Sequence, residues 1–121
     1  SSDDIFVGIE PSLRLGTHVL VEPDILVCRI PDVVPGPEGY ITVPGPDILL
    51  LVEVADTTLR KDRGRKAKLY ARHGVPDYWI VDTNARAVWR HLDPAPGGYV
   101  SLAKVGEETA LRPAATEIDA L

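Results

Sequence analysis

Residues 46–82 read PDILLLVEVADTTLRKDRGRKAKLYARHGVPDYWIVD. The first nine, Pro46 to Val54, are apolar except for Asp47 and Glu53. A run of that kind predicts a central strand covered on both faces rather than a half-exposed one. Glu53 is the anomaly, because a carboxylate in the middle of such a strand loses its hydration. It has to be neutralised, paired with a cation or bound to a metal. The spacing then turns helical from Leu59 to His73, with Asp56, Thr57 or Thr58 as N-cap and Gly74 followed by Val75-Pro76 as the stop. At 100° per residue, Leu59, Asp62, Lys66, Leu69, Tyr70 and His73 share the inward face, extended by the small residues Ala67, Ala71 and Gly74. Lys61, Arg65, Lys68 and Arg72 line up on the opposite side as a basic stripe toward solvent. Lys66 is the cation at the middle of the apolar face, and so short a strand–turn–helix connection can return it near Glu53. After Pro76 the run Tyr78–Val81 predicts a second strand, parallel to and beside the first.

The remaining composition bounds the answer. A chain of 121 residues, 45% hydrophobic and 26% charged, makes one globular domain, residues 1–121, with a modest core. One cysteine, Cys28, excludes an internal disulfide and a cysteine-rich zinc site. With no membrane-spanning run and no signal-peptide pattern, the expected location is the cytoplasm. The net charge of −5 gives no global attraction to nucleic acid or an anionic membrane. Locally the balance reverses, since residues 60–72 hold seven of the thirteen Lys and Arg residues against one acid. A polyanion would meet the protein there. The absence of methionine, and hence of an initiator, suggests a processed or truncated chain.

Outward from the central unit, Ile5–Glu10, His18–Glu22 and Ile25–Ile30 read as extended pieces, with Pro23-Asp24 introducing the third. Pro31–Pro46 carries five prolines and three glycines and reads as a long loop around one short extended piece, Tyr40–Val43. Ala87–Leu92 and Tyr99–Val105 form a hairpin across a Pro/Gly turn at Asp93–Gly98, and the tail shows no clear pattern. The order of strands, one helix and further strands predicts a mixed α/β sandwich around a central sheet. Its second face calls for cover, either from N-terminal residues outside this sequence or from another subunit, so a homodimer is one expectation.

Asp24 and Glu53 stand on two apolar strands where each carboxylate approaches the other. Two hard oxygen ligands with an open side to solvent, joined by the backbone carbonyl of Val54, are the minimum set for Mg²⁺ or Mn²⁺. Lys66 would hold or activate an attacking water and offset developing charge on a phosphodiester. The plainer readings stand beside this one. Pro-Asp is a common turn signal, Glu53 and Lys66 also read as a buried ion pair, and Asp62 with Lys66 as an i, i+4 helix pair. His73 reads as a cap for the last helical carbonyls, Asp47 as a turn residue, Cys28 as inert core, and Trp79 and Trp89 as packing residues. His18 and His91 have no partner at metal-ligand spacing.

Pro23-Asp24 followed by Glu53-Val54-Ala55 resembles the PD-(D/E)XK nuclease signature. The stretch from Asp47 to Asp82, with Asp62-x-x-x-Lys66, Tyr70, Gly74-Val75-Pro76 and Tyr78-Trp79, resembles the Uma2 family (DUF820) of restriction-endonuclease-like proteins, over roughly Ile5 to Leu92. The resemblance implies a restriction-endonuclease-like α/β fold and a metal-dependent endonuclease acting on nucleic acid, with DNA the first expectation. It implies Asp24 and Glu53 as metal ligands and Lys66 as the catalytic lysine. Two departures stand out. Ala55 occupies the place of the signature lysine, so the cation comes from the helix. Family members also begin with a further strand and an acid-bearing helix, a portion this sequence lacks. The competing expectation is a catalytically inactive nucleic-acid-binding or oligomerising module that keeps the fold.

Overall fold

The computed structural model describes residues 4–36, 39–55, 59–106 and 112–115, and of residues 59–63 the backbone alone. Its main layer is a six-stranded sheet built from β1 (Ile5–Ile9), β4 (Ile25–Arg29), β7 (Ile48–Ala55), β8 (Asp77–Asp82), β9 (Ala87–Ala95) and β10 (Gly98–Gly106), in the order β1-β4-β7-β8-β9-β10. The eight-residue β7 sits near the centre, antiparallel to β4 and parallel to β8. Helix α1 (Leu59–Arg72) makes the crossover between β7 and β8. The helix stops where Gly74 takes a positive φ of 78°. Its N–H then donates to the Ala71 carbonyl and that of Val75 to the Tyr70 carbonyl, the paired bonds of a Schellman cap.

A second, four-stranded sheet is formed by β2 (Leu13–Leu15), β3 (Val19–Val21), β5 (Val34–Pro35) and β6 (Ile41–Thr42), in the order β3-β2-β6-β5. The long Pro/Gly loop of the sequence reading is therefore partly sheet. Its strands of two or three residues are too short to display a period-2 pattern. They are fixed by what they bury: Leu13, Leu15 and Val43 are fully buried in one cluster with Leu26, Cys28, Ile48, Leu51, Ala67, Tyr70, Val75, Tyr78 and Ile80. The helix and the small sheet thus cover the same face of the large sheet.

The far face has a cluster of its own, Val27, Leu49, Leu50 and Val52, packed with Ile5, Ile25, Trp79, Val81 and Ala115. Alternation along β7 feeds both clusters, and a bulge where the register against β4 shifts between Val27 and Cys28 puts the adjacent Leu49 and Leu50 on one side while Ile48 and Leu51 face the other. Part of the far-face cover comes from the chain's own tail, which showed no pattern in sequence. The Ala114 N–H donates to the Asp77 carboxylate at 2.9 Å. Asp77 is fully buried and is held further by the Trp79 indole N–H at 2.8 Å and the Arg90 guanidinium at 3.3 Å. The hairpin strand β9 runs past the expected turn to Ala95, which pairs with Gly98, leaving Pro96-Gly97 as the loop. Pro94 is accommodated because β9 pairs with β8 only as far as Leu92, opposite Asp77. Among the described residues, no helix is long and apolar enough to cross a membrane.

Candidate functional site

The antiparallel register of β4 and β7 sets Ile25 opposite Val52, so Asp24, one residue before β4, comes level with Glu53. The Asp24 Oδ2 atom accepts the backbone N–H of Val54 at 2.6 Å. Its carboxylate is thereby held beside the residue that follows Glu53. Glu53 itself is buried, on the face of β7 that α1 covers. Lys66 reaches back from α1, its Nζ donating to Glu53 Oε1 at 2.7 Å. The Tyr78 hydroxyl, from β8, donates to Oε2 at 2.8 Å. The two charges are unequally wet, with side chains 10% exposed for Glu53 and 41% for Lys66. The carboxylate belongs to the core and the ammonium to its rim.

Two tyrosines that the sequence reading named among the motif residues without giving them a role stand beside Glu53. Tyr70 and Tyr78 meet edge to face with ring centroids 4.8 Å apart. Burial first, and then the negative charge of Glu53, push both hydroxyls far above their ordinary value of 10.0. Each stays a proton donor beside Glu53 across the whole working pH range. The signal for Tyr70 was present in its place on the inward helix face. That for Tyr78 lay in the parallel pairing, which sets it opposite Leu51, two residues before Glu53.

A cavity of about 20 Å³ is bounded by Glu53, Val54, Ala55, Lys66, Tyr78 and Ile80, room for about one water or one small cation. Beyond it a groove of about 360 Å³ is lined by Leu20, Val21, Glu22, Tyr40 and Lys66. Lys66 borders both spaces. Two carboxylates, a backbone carbonyl at Val54 and space for one ion suit a hard divalent cation that keeps several waters. Among the described residues, no three His, Cys, Asp or Glu side chains group as a metal cage, so water and substrate oxygens would have to complete the shell.

The other candidates fall elsewhere. Arg65, Lys68 and Arg72 are exposed on the outer side of α1. Lys61 lies in α1, but its side chain, like that of Asp62, is outside the described residues, as are Asp56, Thr57 and Thr58. His73 does not serve as the carbonyl cap, a role taken by Gly74 and Val75. Its ring instead lies near Gly16 in the β2–β3 turn. His91 is buried, with Nδ1 at 3.1 Å from the Tyr78 carbonyl oxygen and its ring against Tyr78 and Tyr99. Cys28 is fully enclosed, and burial pushes its thiol up to about 11. Asp47 closes the short 3-10 turn Gly45–Asp47 that leads into β7.

Known proteins resemble this chain in two ways. A crystal structure titled as a "putative nuclease belonging to DUF820" from Anabaena variabilis superposes with a TM-score of 0.71 at 18% sequence identity, covering 98% of this chain and 64% of that one. The chain thus spans less than two-thirds of that neighbour's length, and the likeness shows a shared fold. A search of curated proteins finds no match. The profile of the Uma2 family, described as "Putative restriction endonuclease", matches residues 1–119, well past the stretch whose motifs carry the resemblance. With that span, this chain belongs to the Uma2 family.

Proposed function

We propose that this chain is the core of a divalent-metal-dependent endonuclease that hydrolyses phosphodiester bonds of nucleic acid, DNA first among them. One observation carries the reading: Lys66 donates to Glu53 at 2.7 Å while Asp24 is anchored on the Val54 N–H. Glu53 and Lys66 thus border one small cavity, and Asp24 is bonded to Val54, which also lines it; this supports the reading. Family membership supports the same class of chemistry.

In this reading Asp24, Glu53 and the Val54 carbonyl hold Mg²⁺ or Mn²⁺. An ion bound there supplies Lewis acidity toward a phosphoryl oxygen and lowers the pKa of a coordinated water. The rest is done by the protein. Lys66, partly exposed, passes from Glu53 to a phosphate oxygen, orienting the nucleophilic water and offsetting charge as it develops. The Tyr78 hydroxyl, with the Tyr70 ring packed edge-on against it, holds the Glu53 carboxylate in one orientation, so that no rotamer search precedes ion binding. Arg65, Lys68 and Arg72, with Lys61 on the same stripe, attract the phosphate backbone through long-range charge.

A second reading rests on a specific contact. Both Glu53 oxygens already accept hydrogen bonds, from Lys66 and Tyr78, which also suits a structural ion pair in a catalytically silent nucleic-acid-binding module. Supercoiled plasmid incubated with the wild-type chain separates the two. The nuclease reading expects nicking that requires Mg²⁺ or Mn²⁺ and is lost in Glu53→Gln and Lys66→Met. Retardation of the plasmid without nicking, unchanged by chelator, would favour the module.

A further inference from the structure

The groove beside Lys66 is outside the ion-binding set, and its lining is unlike that of a phosphate track. Four of its five lining residues carry no positive charge: Leu20, Val21, Glu22 and Tyr40. Leu20 is an apolar side chain 48% exposed to solvent, and Tyr40 is half-buried. Glu22 accepts a hydrogen bond from the Ser12 hydroxyl at 3.4 Å, which leaves its second oxygen as an acceptor. A carboxylate in this position repels phosphate and accepts from ring or exocyclic N–H groups, the donors on the edges of nucleobases. An aromatic side chain and an aliphatic one supply a face on which a base can stack. The volume of about 360 Å³ lies at the small end of ligand pockets, enough for one base and its sugar and too little for a base pair. At one end stands Lys66, which also borders the cavity beside Glu53. A phosphate at that cavity and a base in the groove would be neighbours on one strand.

We infer that the groove formed by Leu20, Val21, Glu22 and Tyr40 receives one unpaired nucleotide adjoining the scissile phosphate, so that the substrate is a single strand or a locally unpaired segment. This rests on the nuclease reading for the position of the phosphate. Base binding itself is measurable without cleavage. The β2–β3 hairpin and the residues before β6 then have a purpose beyond covering the core: they form the far wall of a slot whose near wall is the catalytic lysine.

The test measures binding by fluorescence anisotropy with the wild-type chain in EDTA at low ionic strength, where no metal-dependent cleavage occurs. The probes are a short labelled single strand and the same sequence as a perfect duplex. Tyr40→Ala is expected to weaken single-strand binding by about 5- to 150-fold, the usual range for losing one stacked base, and to leave duplex binding unchanged. Tyr40→Phe is expected to bind like wild type. Leu20→Ala, at an exposed position that cannot unfold the chain, is expected to weaken the single strand alone. No preference for the single strand, no detectable single-strand binding, or equal losses for both probes would overturn the inference. Failure of the nuclease reading looks different: selective single-strand binding would persist while plasmid nicking was absent.

Discussion

Exchanging the two ends of the Lys66–Glu53 pair should produce unequal damage. In Lys66→Met the carboxylate, only 10% exposed, loses its cation and gains at most the one water its cavity can hold. Breaking a fully buried pair costs about 3–5 kcal/mol and an exposed one about 0–1 kcal/mol. Glu53 keeps the Tyr78 hydroxyl at 2.8 Å and Lys66 is partly screened by solvent, so about 2 kcal/mol is the reasoned cost. For a domain of this size that lowers Tm by roughly 8 °C. In Glu53→Gln the ammonium, 41% exposed, turns to water, and the new amide oxygen still accepts from Tyr78. The cost should stay below about 1 kcal/mol, a Tm loss under roughly 4 °C. Thermal unfolding followed by circular dichroism reads both. Were Glu53→Gln as damaging as Lys66→Met, or Lys66→Met without effect on Tm, the picture of a core carboxylate served by a rim lysine would be wrong. Plasmid nicking should nevertheless fall by about 100-fold or more in both variants, since each removes a charge needed at the phosphate.

Other parts of the structure lead to shorter expectations. Tyr78→Phe keeps the ring contacts and deletes one hydrogen bond to a charged group, costing about 1.5–3 kcal/mol in urea unfolding; an unchanged midpoint would remove Tyr78 from the site. Cys28 holds its proton to about pH 11 when folded, against an ordinary 9.0, so the folded state binds more protons than the unfolded one above pH 9. Its contribution is complete below pH 9 and is lost as pH rises toward 11. Stability should therefore fall between pH 9 and 10, Cys28 contributing up to about 1.4 kcal/mol per pH unit, and Cys28→Ala should make that limb shallower, leaving the part that the buried tyrosines add as pH nears 10. A limb unchanged by Cys28→Ala would show that the thiol contributes nothing. Gly45→Ala should destabilise by more than about 2 kcal/mol, because the added Cβ would collide with the His73 carbonyl at the end of the helix; wild-type Tm in this variant would refute that close approach. Asp77→Asn, which leaves the Arg90 guanidinium without its buried counter-charge, should cost about 3 kcal/mol in the same assay, and a neutral result would mean the tail does not depend on that carboxylate.

The unit from β7 through α1 to β8 was legible in sequence because its signals are local and strong. An apolar run, a helical period and Gly74 before Pro76 each specify one element, and a single lysine on the apolar helix face points toward a single acid in the apolar strand. Asp24 was legible as the head of an apolar strand but not as the ligand of the Val54 N–H, which depends on how β4 registers against β7. Of the small sheet, the extended pieces His18–Glu22 and Tyr40–Val43 anticipated β3 and β6, but β2, β5 and the pairing were not legible, since strands of two or three residues are defined by the tertiary burial of Leu13, Leu15 and Val43. The bulge opposite Val27 and Cys28, which sets Leu49 and Leu50 on one face of β7, was equally beyond a period-2 reading. The wall formed by Leu20, Glu22 and Tyr40 escaped notice because its residues converge only once β3, β2 and β6 have paired in the small sheet.

The central claim is that Asp24 and Glu53 grip one divalent cation. Titration of the folded chain with Mn²⁺ in a calorimeter measures that directly. The account expects a single site in the wild type that disappears in Asp24→Asn and in Glu53→Gln, with both variants still folded by circular dichroism. Mn²⁺ binding of equal strength in all three proteins, or none in the wild type, would contradict it.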